Sequence, residues 1–103
     1  MSEIDWTDIK HEFSLLLNLF AKNLDEPSLN EIEHFIKHDE YEMAFELLFL
    51  ELFNKENLPH FDHKKVKNIA LLLKVDQETV YDTDFWITFS KFINQIESQN
   101  NNE

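Results

Sequence analysis

The feature that most constrains this chain is an absence: none of its 103 residues is glycine. Tight β-hairpin turns hold central residues at positive φ, where a Cβ is disfavoured. A glycine-free chain is therefore poorly suited to an all-β fold. The same absence removes phosphate-cradling loops and dinucleotide-binding turns. Helices need neither device, so the expected class is all-α. The length sets one domain with a modest core.

Helical spacing divides the chain into about five helices with short connections, a compact bundle. Helix one is expected over 4–23, with Ile9, Phe13, Leu16, Phe20 and Leu24 on a stripe that Trp6 and Leu17 widen. Pro27 marks the break after it. Ser28 and Glu31 have capping-box spacing for helix two, over 29–37, whose inward face takes Leu29, Ile32, Phe35 and Ile36. Asp39 is placed to cap helix three. After Leu58-Pro59-His60-Phe61, Asp62 is placed to cap helix four, over 63–74. Val66, Ile69, Ala70 and Leu73 face inward there, with Lys64, Lys67 and Lys74 outward. Helix five, over 83–97, turns Phe85, Trp86, Phe89, Phe92, Ile93 and Ile96 inward. Residues 1–97 thus form one helical domain, and 98–103 read as a disordered polar tail.

Helix three, expected over 38–54, is too apolar for an ordinary surface helix. Tyr41, Ala44, Phe45, Leu48, Phe49 and Leu52 share one broad face; Met43, Leu47 and Leu50 gather on the other. Two acidic seams, Glu42 with Glu46 and Glu40 with Glu51, separate the faces. Such a helix is central to a bundle or shows its second face to a partner. Spacing alone leaves Met43, Leu47 and Leu50 open between the two.

The net charge is −12, with 21 acids against nine basic residues, all Lys. This charge repels nucleic-acid backbone and membrane surfaces and attracts basic proteins. It is also polarised. Residues 25–56 hold ten acids and two Lys, a net of −8, whereas 57–81 hold four Lys and three acids, a net of +1. The chain has no Cys, hence no disulfide framework or thiolate metal site. The start of the sequence has no apolar signal-peptide core, and no apolar run approaches a membrane span. Together these fit a cytoplasmic protein.

Little in the chain points to chemistry. Glu31-x-x-His34 is the spacing used by di-iron bundles, and Asp8-x-x-His11 is a weak second copy, but such a site needs two full copies and two more inward Glu, and Glu31 and His34 point away from the Ile32/Phe35/Ile36 face. His34 and His38, or His60 and His63 around Asp62, offer two ligands without a third. No metal, cofactor or catalytic residue is expected. Ser14, Ser28, Ser90 and Ser98 lack a nucleophile context, and the carboxylates sit at positions where ordinary pKa values are the default. The chain is read as a non-enzyme.

Residues 67–80, KNIALLLKVDQETV, resemble a helix-turn-helix, so a DNA-binding regulator built on 64–81 is an alternative. Lys74 stands where Gly is usual in that turn, and Asp76, Glu78, Asp82 and Asp84 make the second segment acidic, which opposes phosphate contact. A generic helical adaptor or homodimer using Met43, Leu47 and Leu50 is a further alternative.

One more pattern runs from about Glu31 to Trp86. A short helix is followed by Glu40-Tyr41, Ala44-Phe45-Glu46 and Leu48. A Leu58-Pro59 break, then Ile69-Ala70, Leu73 and Val75-Asp76, and a late Trp86 complete it. This order resembles the MafI family of small immunity proteins, found beside polymorphic and contact-dependent inhibition toxins. The resemblance implies an α-helical protein that binds one cognate toxin C-terminal domain, 1:1, in the cytoplasm of the producing bacterium. Such toxins are often nucleases, EndoU-like ribonucleases among them. A ribonuclease cleft is basic, so an acidic helical surface would occlude it without direct contact to nucleic acid or membrane. The acids expected to carry binding are Glu33, Asp39, Glu42 and Glu46, with Asp82 and Asp84 as a second cluster beside Trp86. Tyr41 is equally suited to an interface anchor and to the core.

Overall fold

The structure, a computed structural model, describes residues 6–77 and 83–101. Among these are five α-helices and no strand: α1 (Trp6–Phe20), α2 (Glu26–Lys37), α3 (Tyr41–Leu52), α4 (His63–Leu72) and α5 (Phe85–Asn101). A short 3-10 turn, Ala21–Asn23, closes α1. The chain is an all-α bundle, as the missing glycine and the helical periodicity require.

All ten Phe lie in the core or pack against it, so the surface has no free phenyl ring. The hub is α3. Phe45 meets Phe13 of α1 at 6.4 Å and Phe89 of α5 at 5.6 Å between ring centroids. Phe49 meets Phe20 at 6.3 Å and Phe89 at 5.3 Å, nearly edge to face. Such offset geometries suit the ring quadrupole and add about 0.5–1.5 kcal/mol per pair beyond area burial. The most extensive helix pairing is α2 with α3, so the central helix is covered by its own hairpin partner as well as by α1 and α5. Leu47 and Leu50 are half-buried and pack against the core. Met43 is half-buried too. The second apolar face of α3 is thus largely covered.

Three sequence expectations at helix ends need correction. Asp25, not Ser28, caps α2: its carboxylate accepts the Ser28 backbone N–H at 2.9 Å. The helix starts three residues earlier than the capping box implies, at Glu26, because Pro27 fits the first turn, where its missing N–H costs nothing. Asp39 does not cap α3. It lies at φ 57° and closes α2 instead: its N–H donates to the Ile36 carbonyl, and the Glu40 N–H donates to the Phe35 carbonyl. That is a Schellman ending with Asp at the left-handed position. Helix α5 continues to Asn101, so 98–101 are helical rather than a disordered tail. The Asp62 cap is as expected, accepting the Lys64 and Lys65 N–H groups at 3.1 and 3.2 Å.

Without glycine, the left-handed positions fall to Asp39, Asn57 and Lys74. Asp and Asn tolerate this region comparatively well; Lys does not, and pays about 1–2 kcal/mol. Lys74 ends α4 in the same manner as Asp39 ends α2. Its N–H reaches the Leu71 carbonyl and the Val75 N–H reaches the Ala70 carbonyl. The residue standing in for Gly in the helix-turn-helix reading thus adopts the conformation Gly would. Residues 73–77 are turn, and α5 begins only at Phe85. No second helix of that motif occurs among the described residues; most of its expected span, 78–82, lies outside them.

Candidate interaction surfaces

The segment richest in acid folds into one hairpin, α2–α3. Of its ten acids, Asp25, Glu26, Glu31, Glu33, Asp39, Glu40, Glu42 and Glu56 are exposed, Glu51 is half-buried and Glu46 is buried. The local net of −8 is therefore carried almost wholly by solvated groups.

The candidate residues do not form one patch. Helix α1 runs beside α2, and Ser14, Leu17, Asn18 and Ala21 face Leu29, Glu33, Ile36 and Lys37 across a shallow cleft of about 350 Å³. Asp39 borders the same flank, with Lys10 Nζ 3.4 Å from its carboxylate. Both ends of that pair are well exposed, so it is worth about 0–1 kcal/mol at most. Glu33 and Asp39 thus belong together, interleaved with Lys10 and Lys37. Glu42 belongs elsewhere. It shares a stripe of α3 with Glu46, Phe49 and Phe53, and Phe53 meets Phe85 of α5 at 5.7 Å. Asp84, next to Phe85 in sequence, is exposed. Asp82 lies outside the described residues.

One expectation about these residues fails, and one open choice is decided. Glu46 is only 1% exposed and offers no carboxylate to a partner's surface. Burial of that carboxylate is a tertiary effect that helical spacing does not encode. Tyr41, 4% exposed, is a core residue packed edge to face on Phe13 at 5.8 Å. It cannot serve as a surface anchor without opening the α1–α3 packing.

Sequence reasoning also missed a surface. Leu15 and Leu19 are 52% and 39% exposed on the side of α1 turned away from α2. They flank a groove of about 320 Å³ whose floor includes Leu16, Phe61, Val66 and Ile69. Lys65 and Glu12 bridge its rim at 3.3 Å. The signal was present: Leu15-Leu16-Leu17 cannot all point inward, and Leu15 and Leu19 stand one turn apart.

As for chemistry, His34 and His38 are neighbours on α2, with ring centroids 4.5 Å apart, both exposed. No group of three or more His, Cys, Asp or Glu is arranged to hold a metal ion among the described residues. The Nε2 of His63 is buried without a hydrogen-bond partner among them. The Asp25 carboxyl is held below its ordinary range, chiefly by the hydrogen bonds from Ser28, with a smaller contribution from the Lys55 charge. No helix among the described residues is long and apolar enough to cross a membrane. Compared with family models, characterised proteins and solved structures, the chain finds no match in any of the three.

Proposed function

We propose that this protein is a stoichiometric immunity protein that neutralises a basic bacterial toxin domain, a nuclease in the first instance. One observation carries the reading: the acid excess is concentrated in one hairpin, and eight of that hairpin's ten acids face solvent. Acid placed only for solubility needs no such concentration. A nuclease cleft must be basic to hold phosphates, and an acidic surface complements it with fast, salt-sensitive association. The order of motifs from Glu31 to Trp86, similar to the MafI family, supports the same reading and adds a producing-cell cytoplasm as the site of action. The residues assigned to contact are Glu33, Asp39 and Glu42, with Asp84 at the margin. Glu46 and Tyr41 act from beneath, by holding α3 in place. The complex is 1:1, with an interface on the order of 1,600 Å².

The test is co-expression. The C-terminal domain of the toxin encoded beside this chain is expressed in a sensitive host with and without it. Restored growth and a purified 1:1 complex are the expected results. Unrelieved toxicity, or the absence of any toxin gene beside it, overturns the proposal.

A further inference from the structure

Helix α2 carries a second feature that its acids do not account for. His34 and His38 lie one helical turn apart on its outer face, both exposed, with ring centroids 4.5 Å apart and planes tilted by 57°. Their backbone is fixed from below. Phe35 and Ile36, between them, pack against the core, and the helix ending holds His38, whose N–H donates to the Phe35 carbonyl at 3.2 Å. Among the described residues no hydrogen bond or ion pair engages either imidazole.

That spacing matches one metal ion shared by two imidazoles. A metal–nitrogen bond of about 2.0–2.1 Å puts each ring centroid about 3.2 Å from the ion. With roughly 90–109° between the two bonds, the centroids stand about 4.5–5.2 Å apart. The observed 4.5 Å is at the short end of that range. Exposed rings turn on the ps–ns scale, so the nitrogens are free to face the ion. Two His at i and i+4 on one helix face are also the ligand pair of the His-Glu-x-x-His zinc motif. We propose that His34 and His38 form a bidentate, solvent-open site for a late first-row divalent ion. Two protein ligands fall short of the three or four of a catalytic or structural zinc site, so water completes the coordination and the ion exchanges.

The donors choose the ion. Neutral imidazole suits copper, nickel and zinc, with Cu2+ the tightest along the first row. Mg2+ and Ca2+ take oxygen ligands and are not bound here. The setting adds attraction. The hairpin has a net of −8, and Glu31, three residues before His34, is exposed on the same side of α2. Lys37, the cation nearest in sequence, lines the cleft against α1. The other histidines lack this arrangement. His60 and His63 flank Asp62, whose carboxylate already accepts the Lys64 and Lys65 N–H groups, and the Nε2 of His63 is buried. His11 has no second His within a turn of it.

Calorimetric titration of the purified chain with CuCl2, ZnCl2 and MgCl2, at a pH of about 7.5 where free imidazole is neutral, tests this independently of any toxin. One Cu2+ per chain, weaker Zn2+ and no Mg2+ binding are expected. The melting temperature should rise with Cu2+, because the ion binds the folded chain. His34→Gln and His38→Gln, both at exposed positions, should keep their helical circular dichroism. Each should weaken Cu2+ binding about tenfold or more, since losing even an outer partner of a metal ligand costs that much. His60→Gln should leave binding unchanged. Binding that survives both α2 changes overturns the proposal. So does its loss in His60→Gln, or a failure of Cu2+ to bind at about 1 mM.

Discussion

The two flanks of α1 carry opposite kinds of surface. On the α2 side lie Glu33 and Asp39, with Lys10 and Lys37 among them and the acid-rich hairpin behind. On the α4 side lie Leu15 and Leu19, with the Glu12–Lys65 pair at the rim. The difference teaches that a net charge of −12 does not describe a surface; its distribution does. If the proposed function holds, attraction of the acidic flank to a basic partner should grow as salt falls.

The largest expected effect comes from beneath both flanks. Phe49 bridges α3 to Phe20 of α1 and to Phe89 of α5. Phe49→Ala should cost about 3–5 kcal/mol in urea unfolding and abolish binding of the toxin domain. Full binding by a variant that has lost this stability would show that the surface does not rest on this core. Next comes the acidic seam of α3, where exposure divides two glutamates of the same stripe. Glu46→Lys should destabilise by about 3 kcal/mol or more, because it drives an ammonium into a buried position. Glu42→Lys should stay within about 0.5 kcal/mol while slowing association with the toxin domain. Equal stabilities would mean Glu46 is not held in the interior.

Smaller effects test the helix ends that frame the flanks. Lys74→Gly relieves a left-handed lysine at the end of α4 and should stabilise by about 1 kcal/mol in thermal unfolding. Asp62→Ala, which opens the first turn of the same helix, should cost about 1 kcal/mol. The smallest effect concerns pH. The folded state holds the Asp25 carboxyl below its unfolded value, so its contribution is fully present above the ordinary carboxylate range. That contribution is lost as pH falls through the lower, folded value. The melting-temperature gap between wild type and Asp25→Ala should therefore be widest near neutral pH and close in strong acid. A gap that widened on acidification would contradict the Ser28 hydrogen bonds as the cause.

Much of this architecture was legible in the residues. The stripes of Phe13, Phe20, Phe45, Phe49 and Phe89 gave the helices and their inward faces, because core burial and helical period act on the same positions. Asp62 was readable as a cap because its partners are local. What escaped depended on the ends of elements or on distant packing. Asp39 looks like an N-cap one way and a left-handed C-terminal residue the other. Both lie in the same short turn, and only the backbone path separates them. Glu46 sits in a polar seam of its own helix and is buried by the tertiary packing around α3. Leu15 and Leu19 were hidden by a stronger stripe on the same helix. For the site, the sequence identified which hairpin is acidic but not that Glu33 and Asp39 lie beside Lys10 and Lys37 along α1, since that follows from how α1 docks.

The central claim is that charge placed on one hairpin recruits a basic toxin domain. Its most direct test is the association rate with that domain from about 0.05 to 0.5 M NaCl, for wild type and for the Glu33→Lys, Asp39→Lys, Glu42→Lys triple variant. The account predicts a steep fall with salt for the wild-type hairpin and a slower, nearly salt-independent rate for the triple variant. Equal rates with equal salt slopes for the two would contradict it.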